Sequence, residues 1–532
     1  MNKSLLCFIL LLIFTSSQAQ ENRQVYKPAY PSMAENSKYY ILTPPAKAQP
    51  QINGASVFGV RPGSPFIYTI PATGSRPMEF SVKHLPEGLT VDSQTGRISG
   101  KIKDTTEKDY TVKLMAKNEK GKDTKEFTIK VGQTICLTPP LGWNSFNCWA
   151  RRDVTQERVL ESARAMVDKG LINYGFSYMN IDVGWPNSRG GKFNAIQPNE
   201  KFPDIKAMFD EIHALGLKGG IYSSPWITTY GAGAGGSSDN KDGHWEKSMI
   251  DPRYTKLKDT QWRRVGKYKF HSNDVKQWVD WGVDYLKYDW SPIDSVSLVL
   301  MADELESCGR DIVYSISNNT KFNMANLVKT RVNCFRSGGD LKDRWDTDGK
   351  AWNMLQAWEM QNKWLEVYRG EPGHFLDPDM MVVGKQMMQS KELVPSRLTA
   401  DEQYTHITLW TLWASPMLMG CPVDQMDDFT FNLFSNSEVL DIHQDATAVG
   451  GIPVFQKDGI EIVVKDLENG EKAIGLFNKN ATEQVVTMDW ETVGLEGKKK
   501  LRDVWRNKDI GTFKDSFSAS VRSHGTILIR VK

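Results

Sequence analysis

"NDVKQWVDWGVDYLKYDWSPIDSVSLVLMADELESCGRDIVYSIS", residues 273–317, decides the fold. "NDVKQWVDWG" carries helical apolar spacing, with Asn273 placed as an N-cap and Gly282 closing it. "VDYLKYD" reads as a buried strand, "SVSLVLMADELESCG" as a second helix and "DIVYSIS" as a second strand. Upstream, "YMNID", the amphipathic "FPDIKAMFDEIHALG" ending at Gly216, and "KGGIYSS" repeat the unit. Downstream, "LTADEQYTHITLWTLWASPMLMG" opens with Thr399 and Glu402 at capping-box spacing. Strand–helix units repeated in this way predict a (β/α)8 TIM barrel, assigned to residues 134–446.

The flanks have a different pattern. Residues 53–133 carry short alternating runs such as "FIYTI", "MEFSV" and "KEFTIKV" between turn residues, the pattern of a small β-sandwich. "LPEGLTVDSQTGRISG" within it resembles the Ig-like modules found beside bacterial carbohydrate enzymes. Residues 447–532 return to strands, a C-terminal antiparallel β-sandwich. Residues 20–52 are Pro-rich and polar, expected as a leader or linker lying against the next domain. Residues 1–19 combine Lys3, the apolar "LLCFILLLIF" and small residues before a cleavage point after Ala19, so a signal peptide and export, periplasmic or secreted, are expected.

Bulk properties narrow the function. Lys plus Arg number 66 against 64 Asp plus Glu, so no bulk field favours nucleic acid or an acidic membrane. No segment beyond the leader approaches the roughly 20 apolar residues of a membrane span. Five Cys follow the leader (Cys136, Cys148, Cys308, Cys334 and Cys421), an odd and scattered set that is no disulfide scaffold. Without CxxC or paired His, a structural zinc site is not expected. The 17 Trp suit sugar faces as well as cores.

Barrel chemistry sits at the C-terminal strand ends. Asp182 ends "YMNID", Tyr222 ends "GGIY", Lys287 and Asp289 end "YLKYD", Ser317 ends "VYSIS", and Asp340 follows "FRSGG". An unpaired buried carboxylate is unfavourable, so Asp289 needs a partner or a task. Two carboxylates without a metal or a Ser/His/Asp set suggest glycoside hydrolysis. Asp289 is then the nucleophile, kept ionised by Lys287, and Asp340 the acid/base. Arg336 precedes Asp340 by four residues, and the Gly pair between them is expected to let the chain turn sharply.

In order, "LTPPLGWNSFNCW" (137–149), "YMNIDVGW" (178–185), "WGVDYLKYDW" (281–290), "FRSGGDLKDRW" (335–345), "LDPDMMVVG" (376–384) and "LWTLWASPMLMG" (409–420) resemble glycoside hydrolase family 27, the α-galactosidase and α-N-acetylgalactosaminidase family. The resemblance covers roughly residues 136–532, including a matching C-terminal β domain. It implies a retaining enzyme without cofactor, acting on a terminal galactose-like sugar of an oligo- or polysaccharide. It implies Asp289 as nucleophile and Asp340 as acid/base, with carboxyls about 5–5.5 Å apart. Substrate positions implied are Asp182, Lys287, Arg336, Asp377 and the aromatic wall at Phe146. Tyr222, Ser317 and Trp185 complete the expected contacts.

Departures bear on the sugar. The family's "IDDCW" is here "IDVGW", so Val183 stands where a second Asp holds the 6-hydroxyl. Cysteines that brace family active-site loops are missing together. Ser317 stands where many galactosidases have Glu, near the 2-position. A charged, aromatic insertion at 238–273 leaves a strand end and could wall the mouth. The leading expectation is an α-D-galactosidase. The alternatives are a β-L-arabinopyranosidase or α-N-acetylgalactosaminidase on the same scaffold and, from another class, a sugar-binding protein without turnover.

Overall fold

The computed structural model describes residues 25–31, 39–244, 263–387 and 391–532. The expected signal peptide lies outside them. Eight parallel strands form one sheet: Leu141–Asn144, Tyr178–Asn180, Lys218–Ser223, Tyr285–Asp289, Val313–Ser317, Cys334–Arg336, Phe375–Asp377 and Met417–Met419. The eighth pairs with the first through Leu141 and Met417, and a parallel bridge from Met381, four residues past the seventh strand, to Met419 of the eighth closes the remaining gap. The sheet is therefore a closed barrel, as the strand–helix alternation predicts.

Local chemistry sets the helix ends. Asp204 caps Ile205–Ala214 by accepting from the Ala207 N–H at 2.9 Å. Thr399 and Glu402 form the expected reciprocal capping box on Ala400–Trp413. Gly282 ends His271–Trp281 at φ +81. Asn273 is not that helix's cap. The helix begins two residues earlier, and Asn273 donates instead to the Phe193 carbonyl at 2.6 Å.

The Ig-like domain packs a four-stranded sheet on a three-stranded one around Phe66, Ile98, Leu114, Phe127 and Ile129. It docks on the barrel floor, at the strands' N-terminal ends. Thr69 donates to the Gly216 carbonyl at 2.8 Å, and Arg97 caps the end of helix Ile205–Ala214 through the carbonyls of His213 and Ala214. Lys218, first residue of the third strand, lies 4.4 Å from the Phe58 ring centroid and 5.2 Å from that of Tyr178. The catalytic mouth is at the opposite end.

The C-terminal domain joins a six-stranded antiparallel sheet to a small sheet completed by the N-terminus. Val25–Tyr26 pairs parallel with Ser518–Ala519, and the Tyr26 hydroxyl donates to Asp503 at 2.9 Å. Tyr40 then donates to Asp401 at 2.5 Å and Tyr39 stacks on Phe429. The Pro-rich leader is thus more than a linker against the next domain: its described residues contact the C-terminal domain at Val25–Tyr26 and the barrel at Tyr39–Tyr40 before the chain enters the Ig-like domain at Gln51–Ile52. All five described cysteines are free thiols.

Candidate active site

The mouth is built from the strand ends. Asp289 closes the fourth strand, and cross-strand register sets it beside Ser317 on the fifth. Register also sets Lys287 beside Tyr222 and Arg336 beside Asp377. Asp182 lies just past the second strand with 1% exposure. Its Oδ2 accepts from Lys287 Nζ at 2.6 Å and from Asn144 Nδ2 at 3.0 Å. Phe146 flanks this pair, its ring centroid 5.8 Å from Lys287 Nζ.

Arg336 is the hub of the other half. Nη1 pairs with Asp379 at 2.8 Å, and Nη2 reaches the Gly339 carbonyl at 2.5 Å and Asp340 Oδ1 at 3.4 Å. Ser317 lies 3.5 Å from Nη1. The loop carrying Asp340 is fixed further by Asp379 Oδ2, which accepts the Leu341 N–H at 2.8 Å. Neither Gly338 nor Gly339 has a positive φ. The reason for Gly338 is close approach, not a sharp turn: a Cβ there would sit 2.3 Å from the Trp352 ring.

Two carboxylates of this cluster are driven apart in acidity. Burial pushes Asp289 up to about 7, with Asp182 and Asp340 adding repulsion against the pull of Lys287 and Arg336. Asp340 keeps 62% of its side chain exposed to the mouth. Desolvation works to raise its carboxyl too, but Arg336, Lys287 and Lys342 outweigh it and hold it below the ordinary carboxylate value. Burial raises Asp377 to about 6, against Arg336. Lys287 stays firmly charged: burial opposes its charge, and Asp182 and Asp289 overcome that. Buried Asp289 is therefore the more basic of the two carboxyls.

The sequence-derived residues Asp182, Tyr222, Lys287, Asp289, Ser317, Arg336, Asp340, Asp377 and Phe146 all fall on this end of the barrel. Trp185 is a correction. It has no exposed surface, and its indole N–H donates to the Tyr222 carbonyl at 2.8 Å. It supports the Tyr222 strand from behind and offers a sugar no face. Tyr222 is equally covered, with Asp289 and Asp182 as its charged neighbours.

Residues missed in the sequence are Asn144, Asn318, Tyr230 and Asp379. Asn318 donates from Nδ2 to Asp289 Oδ1. Asp379 holds φ +128, a conformation L-residues rarely adopt, while its carboxylate locks Arg336 and the Asp340 loop. The second Asp of "DPD" was the available signal for Asp379. In place of a disulfide, the loop after the third strand is braced by Arg151, which donates to the Tyr230 carbonyl at 2.7 Å, and by Arg189, which reaches the Gly235 carbonyl and pairs with Asp274 at 2.6 Å. The insertion starts and ends as a short hairpin, Ser237–Ser238 against Tyr268–Lys269, and its central residues 245–262 lie outside the described residues.

Comparisons with known proteins agree with this architecture. Residues 138–248 and 258–445 match the family described as "Alpha galactosidase A", and residues 457–531 its "C-terminal beta sandwich domain". Residues 49–132 match "Putative Ig domain". The α-galactosidase of rice is 31% identical over 396 residues, 73% of this chain and 83% of its own length. That of Cyamopsis tetragonoloba is 30% identical over 395 residues, 73% and 84% of the two chains. A Bacteroides fragilis structure described as "a putative alpha-galactosidase" superposes with a TM-score of 0.79 at 30% identity, covering 91% of this chain and 98% of its own. With more than half its length matched by the family's catalytic-domain description, this chain is a glycoside hydrolase and belongs to the α-galactosidase family, glycoside hydrolase family 27.

Proposed function

We propose that the protein removes terminal α-D-galactosyl residues from oligo- or polysaccharides by double displacement, with Asp289 as nucleophile and Asp340 as acid/base. The observation that carries this reading is the placement of Asp289 and Asp340 at the strand ends beside two fixed cations, Lys287, held by Asp182, and Arg336, held by Asp379. The activity of the rice and Cyamopsis relatives, by their names, points the same way.

With Asp289 the more basic carboxyl, a seated sugar must reverse the order of the two. Asp289 is already buried, so a sugar removes little more of its water. Asp340 is open, and a seated pyranose covers it, raises its pKa by desolvation and draws the proton over. Ionised Asp289 then attacks the anomeric carbon while Asp340 gives its proton to the departing glycosidic oxygen. A covalent glycosyl ester forms. Asp340, now a carboxylate, takes a proton from water as that water attacks the anomeric carbon, which breaks its bond to Asp289 and frees the sugar and the carboxylate. Asp182, held by Lys287 and Asn144, accepts a sugar hydroxyl beside Phe146.

Asp289→Asn and Asp340→Ala should each lower turnover of a nitrophenyl α-galactoside by roughly 10³-fold or more. Wild-type rates in both would end the assignment.

A second reading concerns the sugar. Val183 is 4% exposed and packed against Gly231, where an added Cβ would lie 2.8 Å from Val183 Cγ2. This apolar contact offers no acceptor to a 6-hydroxyl, which favours a β-L-arabinopyranoside, a ring with the galactose layout and no such arm. The lost hydrogen bond corresponds to about 1 kcal/mol. A hundredfold preference for galactoside in kcat/KM would discard the arabinose reading.

A further inference from the structure

Asn318 is the first residue past the fifth barrel strand, at φ +77, a left-handed conformation that Asn tolerates better than most residues. Because Asp289 and Ser317 are in register, the next residue lies against the nucleophile. The left-handed turn brings the Asn318 amide back across the strands, where Nδ2 donates to Asp289 Oδ1. The Tyr230 hydroxyl lies beside the same side chain. Tyr230 is itself held: Arg151 binds its carbonyl, and the Arg263 guanidinium lies 4.8 Å from its ring centroid.

The groups facing Asp289 are Lys287 and Arg336, the carboxylates Asp182 and Asp340, and the phenols Tyr222 and Tyr230. Lys287 is committed to Asp182 at 2.6 Å and Arg336 to Asp379 at 2.8 Å. The side-chain hydrogen bond to Asp289 comes from Asn318.

We propose that Asn318, braced by Tyr230, is a positioning residue that holds the Asp289 oxygen for attack and biases the proton shared with Asp340 towards Asp340. This rests on the double-displacement reading above. An N–H donor binds a carboxylate more strongly than a carboxylic acid, so it favours the ionised nucleophile. Removing it makes Asp289 hold a proton more tightly still. The competent arrangement is then rarer, and the pair holds its last proton to higher pH.

The test is the pH profile of kcat/KM on a nitrophenyl α-galactoside for the full chain, with melting temperature measured alongside. Asn318→Gly removes the amide without straining the backbone. It should lower the plateau about tenfold, as expected for loss of one such bond, and move the alkaline limb to higher pH. Asn318→Asp replaces the donor with a charge and should move that limb further. Tyr230→Phe should shift it the same way by less, and the double variant with Asn318→Gly should be no worse than Asn318→Gly alone. An unmoved alkaline limb in Asn318→Gly overturns the proposal whatever happens to its rate, because a merely structural loss lowers the plateau without moving a limb. Fully additive losses in the double variant overturn the brace. Asp289→Asn separates the two levels. If it keeps wild-type turnover, double displacement fails. If it is inactive while Asn318→Gly is normal, only this inference fails.

Discussion

At Asp289 burial opposes charge, and that tension can be measured. Its carboxyl is raised to about 7 in the folded chain, so the folded state binds the proton more tightly than the unfolded one between the ordinary carboxylate value and about 7. Stability from this group is full at low pH and is lost as pH rises through that window. Asp289→Asn should therefore raise the melting temperature at pH 8, by the equivalent of up to about 4 kcal/mol, and leave it nearly unchanged at pH 4. Thermal denaturation at the two pH values checks this, and a destabilised variant at pH 8 would contradict it. The same residues set the rate profile. Under the proposed double displacement the active form carries one proton on the Asp289–Asp340 pair. The kcat/KM profile should thus be a bell whose alkaline limb lies near the last proton's value, about 7, and whose acid limb lies below the ordinary carboxylate value.

At the scale of elements, the helix Ala400–Trp413 shows how a cap serves two domains. Thr399 satisfies its first turn, while Glu402 closes the capping box and also binds His524 of the C-terminal domain at 2.6 Å. Thr399→Ala should lower stability by about 1 kcal/mol. Glu402→Ala should lower it more, because it removes the cap and the domain contact together, with kcat unchanged in both; denaturant titration and a rate assay decide it. Much of this scale was legible in sequence, because strand and helix periods alternate cleanly between residues 178 and 317 and the polar strand ends point to one face. Asn318 and Asp379 were less legible. Each acts by binding a group on another strand, and nothing in local spacing marks that partner. Asn273 looked like a cap because its residue type suits one, but the helix gains two residues from "HS" ahead of it. Trp185 looked like a sugar platform, and its burial follows from packing against Trp281, a contact between separate units.

Across the whole molecule, the two β domains act on the barrel from outside the mouth. The Ig-like domain grips the floor through Arg97, Thr69 and the Lys218 contact with Phe58, far from the carboxylates. Arg97→Ala combined with Phe58→Ala should lower the melting temperature and loosen that domain in small-angle scattering, while kcat/KM on a small glycoside stays within about twofold. A large loss of kcat/KM would mean that the module reaches the site. The leader's contacts were illegible in sequence: it is polar and Pro-rich, and the partner of Val25–Tyr26 lies almost five hundred residues away at Ser518–Ala519. Its tyrosines pack only because the barrel and the C-terminal domain are already side by side.

The most direct test of the central claim is peptide mass spectrometry after inactivation with a 5-fluoro α-galactosyl fluoride, which slows breakdown of a glycosyl ester. The account predicts one added sugar, on the carboxylate of Asp289. A label on another residue, or turnover with inversion and no label, would contradict it.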